Sequence, residues 1–247
     1  MTVYDCGVKF NLMSPVEVVR EVSTLSEQGK TGIQITGVNL EQIALLKKNE
    51  AFADYVNASD LVNVDGTIVY IYLRLKGYPI KQRTLCADIL YEFLKDADQR
   101  GDDVYFLGAT QESVEAVVSN IQTQYPNIQV VGYHNGYFED ELEVVQDIKS
   151  KHPKYLFIGM PSPHKERFIT KYKSEMGASI CFGVGGMFDI IAGKAERAPF
   201  WIQRCGLEWL YRISQNPVGH TKRVLKALPA CLWVFSRYLF TSKKKPI

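Results

Sequence analysis

The sequence lacks the cysteine and histidine patterns that mark disulfide-rich domains and zinc sites. Its 247 residues contain five cysteines and four histidines, with no CxxC pair and no histidine within four residues of another histidine or a cysteine. A dispersed, odd set of cysteines favours a reduced, cytoplasmic protein over a disulfide framework. The spacing also argues against a zinc site. We expect no metal and no cofactor.

The two commonest nucleotide-binding signatures are also absent. No GxGxxG and no GxxxxGK[ST] occurs anywhere in the chain. The closest segment is GVGGMFD, from Gly183 to Asp189, which reads GxGG and follows an apolar run. Its glycines (Gly183, Gly185 and Gly186) fit either a strand-to-helix turn or a loop that lets a ligand approach the backbone closely. Taken alone, the segment leaves both readings open.

Long apolar runs are missing as well. The first residues show no basic stretch followed by an apolar core, so no signal peptide is expected. The most apolar stretch, residues 227–240, contains Pro229 and Arg237, and its 14 residues are fewer than the ~20 that cross a bilayer. Interleaved basic and aromatic residues favour a segment in the plane of the membrane interface. A packed pair of C-terminal helices is the alternative.

Charge is distributed unevenly. The net charge is +2, yet the chain from Lys194 onward carries 11 of the 29 Lys and Arg residues and only 2 of the 27 Asp and Glu residues. A basic tail on an acidic body predicts an anionic partner for the tail. The sequence has no nucleic-acid-binding motif, so we expect an anionic membrane surface and not nucleic acid. The expected location is cytoplasmic and peripheral, at the inner face of the cell membrane.

Six short apolar runs alternate with helical patterns. Continuous runs of β-branched and aromatic residues are typical of strands buried on both faces. The alternation predicts an α/β fold with a doubly wound, mostly parallel, Rossmann-like sheet and a basic helical C-terminal appendage. We expect a catalytic domain over residues 1–193 and a membrane-associating appendage over 194–247. The six predicted strands are 32–36, 60–64, 104–107, 128–131, 155–158 and 179–182.

Four helices are predicted between these strands. Thr110 should cap a helix over 111–125, and a second helix should cover 139–151. A third should begin at Pro163, a favoured first helical position. A fourth should run from Leu40 to Val56, with Asn39 and Gln42 forming a capping box.

Polar residues and glycines follow several of the predicted strands, where ligands bind in open parallel sheets. Thr36, Asn39, Asp65, the segment 159–163 and the segment 183–189 all lie at such ends. Asn39 could be a helix cap and nothing more. Asp65 precedes Gly66, so it could form a turn, or it could serve as a general base at the mouth of the strand.

The whole pattern resembles the WecG/TagA/CpsF family of bacterial glycosyltransferases, from about Ser14 to Tyr238. Its most specific part is GVGGMFDIIAGK from Gly183, followed by Arg197-Ala-Pro199 and by GLEWLYR from Gly206 to Arg212. The resemblance implies inverting, metal-independent transfer of a sugar, often of the N-acetylmannosamine type. The donor would be a UDP-sugar and the acceptor a polyprenol-diphosphate-linked saccharide, in the synthesis of teichoic acid, capsule or exopolysaccharide.

The resemblance also implies roles for particular residues. Asp65 would be the general base, Thr36 and Asn39 would line the donor pocket, and Arg83 would face phosphates. Asp189 and its glycine loop would hold the nucleotide. The remaining implied substrate contacts are His164, Lys165, Glu166 and Arg212, with Arg212 nearest the diphosphate of the lipid carrier.

The positions at which the sequence departs from the family pattern are those that would surround the donor sugar. Gly37 stands where the family usually has Thr, and Lys165 stands where Gln is expected. The resemblance therefore defines the reaction more closely than the sugar. The alternative is a non-catalytic sugar-nucleotide-binding protein in which Asp65 is a turn residue and the tail drives homo-oligomer formation.

Overall fold

The computed structural model describes residues 1–239 and contains two sheets. The larger has six strands in the order β4-β3-β8-β7-β5-β6, and every neighbouring pair is parallel. All six predicted strands are confirmed, as is the parallel α/β fold. The strands are β1 Thr2–Asp5, β2 Val8–Asn11, β3 Ile33–Val38, β4 Leu61–Val64, β5 Asp103–Gly108, β6 Gln129–His134, β7 Tyr155–Gly159 and β8 Ile180–Gly183.

Helices cover both faces of this sheet. They are α1 Pro15–Glu27, α2 Leu40–Lys48, α3 Glu50–Asn57, α4 Thr67–Leu75, α5 Cys86–Arg100, α6 Gln111–Gln124, α7 Glu141–Lys151, α8 His164–Tyr172, α9 Met187–Ile191, α10 Phe200–Cys205, α11 Glu208–Gln215 and α12 Pro217–Leu239. One apolar core joins the sheet to α1, α5, α6 and α9, and another joins it to α7 and α8. The interior strand β3 contributes side chains to both faces. Ile33 and Ile35 enter the first core, whereas Gln34 donates to Thr170 Oγ1 on α8 (3.1 Å).

The predicted single helix from Leu40 to Val56 is wrong. The chain leaves the helical conformation at Asn49, where φ is −137° and ψ is 103°, so α2 and α3 are separate. The break lets Phe52 and Val56 of α3 enter a core with the hairpin β1–β2, while Ala44 of α2 packs against α12. Two predicted starts also shift slightly, since α7 begins at Glu141 and α8 at His164.

The C-terminal helix α12 lies against the body of the protein. Ala227 and Ala230 pack on α2, and small residues there let the two helices approach closely. Nearer the end of the helix, Phe235 stacks on Tyr72 of α4 with ring centroids 4.0 Å apart. Among the described residues, no helix is both long and apolar enough to cross a membrane. The domain boundary at residue 194 stays a prediction.

Candidate active site

The site forms at the carboxyl ends of β3, β4 and β8. The chain leaves β3 toward α2 and leaves β8 toward α9, which packs in the core on the opposite face of the sheet. Diverging connections of this kind open a crevice between adjacent parallel strands. Ile35 pairs with Phe182, so Thr36 and Gly183 come next to each other at the crevice. The structure thus brings together residues that are far apart in the sequence.

Asp65 follows β4 and is held in place by the backbone at the start of α5. Its Oδ1 accepts a hydrogen bond from the Cys86 N–H at the start of α5 (3.1 Å), while Oδ2 lies 3.5 Å from Asn39 Nδ2. A carboxylate at a helix N-terminus is stabilised by the helix dipole. Burial, reinforced by the Asp65 charge, raises the pKa of the Cys86 thiol, so Cys86 is neutral beside it. Asp65 remains half-buried and accessible.

Asn39 caps α2, as predicted. Its Oδ1 accepts from the Glu41 N–H (2.8 Å), and its own N–H donates to Gln42 Oε1 (3.1 Å), which completes the capping box. The carboxamide Nδ2 is directed toward Asp65. Asn39 is therefore both a helix cap and a neighbour of the candidate base, and its predicted place in the donor pocket stays a prediction.

Gly37 fits tightly between these groups. A Cβ at this position would lie 2.5 Å from Cys86 Sγ and 2.9 Å from Asp65 Cβ, which is closer than non-bonded atoms approach. The residue that departs from the family pattern is thus required here by the packing of Asp65. Thr36, its neighbour, is 1% exposed, and its hydroxyl has no partner among the described residues.

A buried polar network lies beside Thr36. Gln34 faces α8, and Thr36, two residues on, faces the same side because side chains alternate along a strand. On α8, Lys165 and Glu166 form an ion pair with side chains 5% and 1% exposed, and both contact Ser162 Oγ. Gln42 Nε2 also donates to Ser162 Oγ (2.9 Å), so the network reaches the start of α2.

The network leaves one acceptor open. Glu166 Oε2 has no hydrogen-bond partner among the described residues. The aliphatic part of Lys165 runs along the end of β8, because a Cβ on Gly183 would lie 3.0 Å from Lys165 Cδ. Buried acceptors are normally satisfied, which makes Glu166 Oε2 and the Thr36 hydroxyl candidate contacts for a ligand. Neither Ser162 nor Gln42 was predicted as a site residue. The sequence signals were the capping-box pattern for Gln42 and, for Ser162, its place in the segment 159–163 after a predicted strand.

The glycine loop after β8 is anchored by buried apolar side chains, and its outer side is open. Val184, Met187 and Phe188 are buried, whereas Gly185 has φ +56° and nothing within 4 Å of where a Cβ would lie. Asp189 is exposed and its carboxylate has no hydrogen bond or ion pair among the described residues. The loop is thus anchored by apolar side chains while its polar groups remain accessible, which leaves its predicted role in nucleotide binding to be tested.

Arg83 contacts the tail. Its guanidinium donates to Glu208 Oε2 (2.9 Å) and Thr67 Oγ1 (3.0 Å) and to the carbonyl oxygen of Gln203. Thr67 in turn donates to the carbonyl of Gly206 (2.8 Å). The turn between α10 and α11 therefore docks directly on the segment that follows Asp65. The predicted role of Arg83 toward phosphates is untested, and the contact with Glu208 was not foreseen.

The remaining predicted contacts lie on exposed surfaces. His164 is the exposed first residue of α8, and Arg212 is exposed on α11. Burial, together with the charges of Arg223 and Arg212, lowers the pKa of His220, which places these three residues in one basic group. Glu41 at the start of α2 acts on the same imidazole. The predicted substrate contacts of His164 and Arg212 stay predictions.

Comparison with known proteins identifies the class. The glycosyl transferase WecG/TagA/CpsF family model matches residues 3–245. A Bacillus subtilis (strain 168) protein named N-acetylglucosaminyldiphosphoundecaprenol N-acetyl-beta-D-mannosaminyltransferase is 33% identical over 76% of this chain and 73% of its own. A Staphylococcus aureus (strain NCTC 8325 / PS 47) protein of the same name is 32% identical over 88% of this chain and 87% of its own.

A third relative with that name, from Bacillus spizizenii, is 31% identical over 79% of this chain and 76% of its own. These matches define the chain as a glycosyltransferase. It belongs to the WecG/TagA/CpsF family, and the resemblance read from the sequence is confirmed. Within residues 1–239, no three His, Cys, Asp or Glu side chains are grouped so as to hold a metal ion.

Proposed function

We propose that the protein transfers a neutral sugar of the N-acetylmannosamine type from a UDP-sugar to a polyprenol-diphosphate-linked saccharide, with inversion at the anomeric carbon. The acceptor and sugar classes are those in the names of three relatives that are 31–33% identical. The observation that carries the proposal is the half-buried Asp65 at the mouth of β4, held by the Cys86 N–H.

Asp65 is proposed as the general base. The hydrogen bond to Oδ1 fixes the carboxylate and leaves Oδ2, beside the Asn39 amide, to take the proton from the acceptor hydroxyl. The freed oxygen then attacks the anomeric carbon as the bond to the UDP oxygen breaks. Because the attack comes from the face opposite the bond to UDP, this single displacement inverts the configuration at the anomeric carbon. The N-terminus of α2 can stabilise the charge of the diphosphate that leaves.

The buried pair of Lys165 and Glu166 supports a neutral sugar. A lysine in place of the usual glutamine would favour an acidic sugar if its charge were free. Here Glu166 and Ser162 take up the ammonium group, and the side chain is only 5% exposed. The acceptors still open are Glu166 Oε2 and the Thr36 hydroxyl, which suit sugar hydroxyl or acetamido N–H donors.

The tail is proposed to hold the enzyme at the inner face of the membrane, in cell-surface polysaccharide synthesis. Along α12, exposed apolar side chains recur every seven residues and therefore share one side of the helix: Val218, Leu225, Leu232 and Leu239. Lys222, Lys226 and Arg237 border this stripe, and Trp233 lies among them, 44% exposed. An apolar stripe edged by basic and aromatic residues fits the interface of an anionic membrane.

A transfer assay tests the proposal. The purified protein would be incubated with UDP-N-acetylmannosamine, or with other UDP-sugars in parallel, and with a short-chain polyprenol-diphosphate-linked N-acetylglucosamine. We expect UDP release together with a lipid-linked disaccharide detected by mass spectrometry. Binding of a UDP-sugar without transfer to any such acceptor would instead favour the non-catalytic alternative.

A further inference from the structure

A second cleft opens where the body meets the tail. It has a volume of about 280 Å³ and lies between α4, the segment before α5, and α10. Most of the charged residues that line the cleft are cationic. The lining residues are Tyr70, Lys81, Gln82, Arg83, Leu85, Asp88 and Arg204.

Two of the charged side chains in the cleft are already paired. Arg83 is bound to Glu208, and Asp88 is bound to Arg197. Lys81 and Arg204, by contrast, form no ion pair with any residue in the range 1–239. Two cations from separate segments, neither of them in an ion pair within that range, therefore face one cleft, and they would attract a ligand with about two negative charges.

The cleft adjoins the candidate base. Its wall residue Leu85 is followed directly by Cys86, whose N–H binds Asp65. Its wall residue Arg83 binds Thr67, which lies two residues after Asp65. An anion in the cleft would consequently lie close to the groups that hold the base, as an acceptor saccharide attached to that anion requires.

The helices that form the walls also expose apolar side chains. On α10, the helix of Arg204, Phe200 and Trp201 are 72% and 66% exposed. On α4, the helix of Tyr70, Ile71 and Leu75 are 47% and 78% exposed. Large exposed apolar side chains that border a polar cleft are typical of sites for ligands with an apolar portion. Here they would lie beside the anionic portion.

We propose that this cleft binds the diphosphate of the polyprenol-linked acceptor, with Lys81 and Arg204 as its principal contacts and the lipid chain against the exposed residues of α4 and α10. The proposal rests on the function proposed above and assigns a subsite within it. Charge-assisted hydrogen bonds from lysine and arginine are the usual recognition of diphosphate oxygens. The diphosphate of the UDP-sugar binds elsewhere, on the side of α2 and the loop after β8.

Steady-state kinetics can distinguish the binding site of the acceptor diphosphate from that of the UDP-sugar diphosphate. Lys81→Gln and Arg204→Gln should each raise the KM for the lipid-linked acceptor by about tenfold, the loss expected for one charged hydrogen bond. The KM for the UDP-sugar and the kcat at saturating acceptor should stay within about twofold. Matched controls are Lys95→Gln and Arg100→Gln, which remove exposed cations from α5 that pair with Glu92 and with Asp96 and Glu27.

Two further arms make the outcome decisive. Calorimetric titration with farnesyl diphosphate, set against inorganic pyrophosphate and UDP, measures the subsite without requiring transfer. We expect farnesyl diphosphate to bind the wild-type protein and to bind both variants more weakly, whereas the affinity for UDP should be unchanged. An equal loss of UDP affinity, no loss at all, or a loss confined to Arg212→Gln would overturn the assignment. Failed transfer with intact, Lys81-dependent farnesyl diphosphate binding would count against the proposed function but not against the subsite.

Discussion

Glu208 of the tail and Arg83 of the body form an ion pair in which Oε2 lies 2.9 Å from Nη1, with side chains only 21% and 16% exposed. The same guanidinium contacts the carbonyl of Gln203 and the hydroxyl of Thr67. The pair thus couples the docking of the tail to the segment that follows Asp65.

Glu208→Gln should weaken this docking while preserving side-chain shape. A double-mutant cycle with Arg83→Gln, measured by urea unfolding, should give a coupling free energy on the order of 1 kcal/mol, because the pair is largely but not fully shielded from water. Limited proteolysis should cut the variant tail faster. Glu196→Gln is the matched control, since Glu196 lies in the tail but contacts Tyr211 instead of Arg83. Zero coupling would show that the pair does not hold the tail.

Glu166→Ala should be strongly destabilising. It leaves the ammonium of Lys165 buried without a counter-ion, a change that costs about 3–5 kcal/mol. The double variant Lys165→Met with Glu166→Ala should recover much of that loss, because no unpaired charge remains. Glu21→Ala, on the exposed face of α1, should change the free energy of unfolding by less than about 0.5 kcal/mol. If Glu166→Ala were as mild as this control, water would have to reach Lys165.

Asp189→Ala should weaken UDP binding with little effect on stability. The carboxylate is exposed above the glycine loop and suits a uracil N–H or a ribose hydroxyl, whereas it would repel a phosphate. Isothermal titration should show a loss of about 1.5–3 kcal/mol, the range for a hydrogen bond to a charged group. Unchanged affinity in a folded variant would mean that the loop from Gly183 to Asp189 is a structural turn.

The apolar stripe of α12 can be tested on vesicles. The double variant Leu225→Gln with Leu232→Gln should reduce sedimentation with anionic liposomes on the order of tenfold, because both side chains are more than half exposed and should enter the interface. Leu142→Gln is the control, since Leu142 is 53% exposed on α7. Equal sedimentation of all three proteins would place the membrane contact elsewhere.

The sequence was informative where local patterns suffice. Strands β3, β4, β5, β7 and β8 are largely buried on both faces and read as short apolar runs, so they were predictable, as were the caps Asn39 and Thr110. The edge strand β6 is more exposed, but its first residues also lie in an apolar run. The break at Asn49 was not, because it serves the packing of Phe52 and Val56 against a distant hairpin. That hairpin was itself missed, since its four-residue strands are too short to show a clear alternation.

The site likewise contains some residues that local sequence patterns predict and some contacts that they do not. Asp65 and Asn39 could be named because each follows a recognisable strand and stands next to a turn or helix start. Other contacts that shape the site join distant parts of the chain. Ser162 lies 120 residues from Gln42, and Glu208 lies 125 from Arg83. Nothing in the sequence around either residue signals such a contact, so only the folded structure reveals it.

The most direct test of the central claim is the turnover of Asp65→Asn with the lipid-linked acceptor and the UDP-sugar. The replacement is nearly isosteric and keeps the hydrogen bond from the Cys86 N–H, while it loses only the long 3.5 Å contact with Asn39 Nδ2. The variant should therefore stay folded and bind UDP with near-wild-type affinity. Turnover should fall by about 10²–10⁴-fold, the usual contribution of a general base. Near-wild-type turnover in a folded variant would contradict the account, because the proton of the acceptor hydroxyl would then leave by another route.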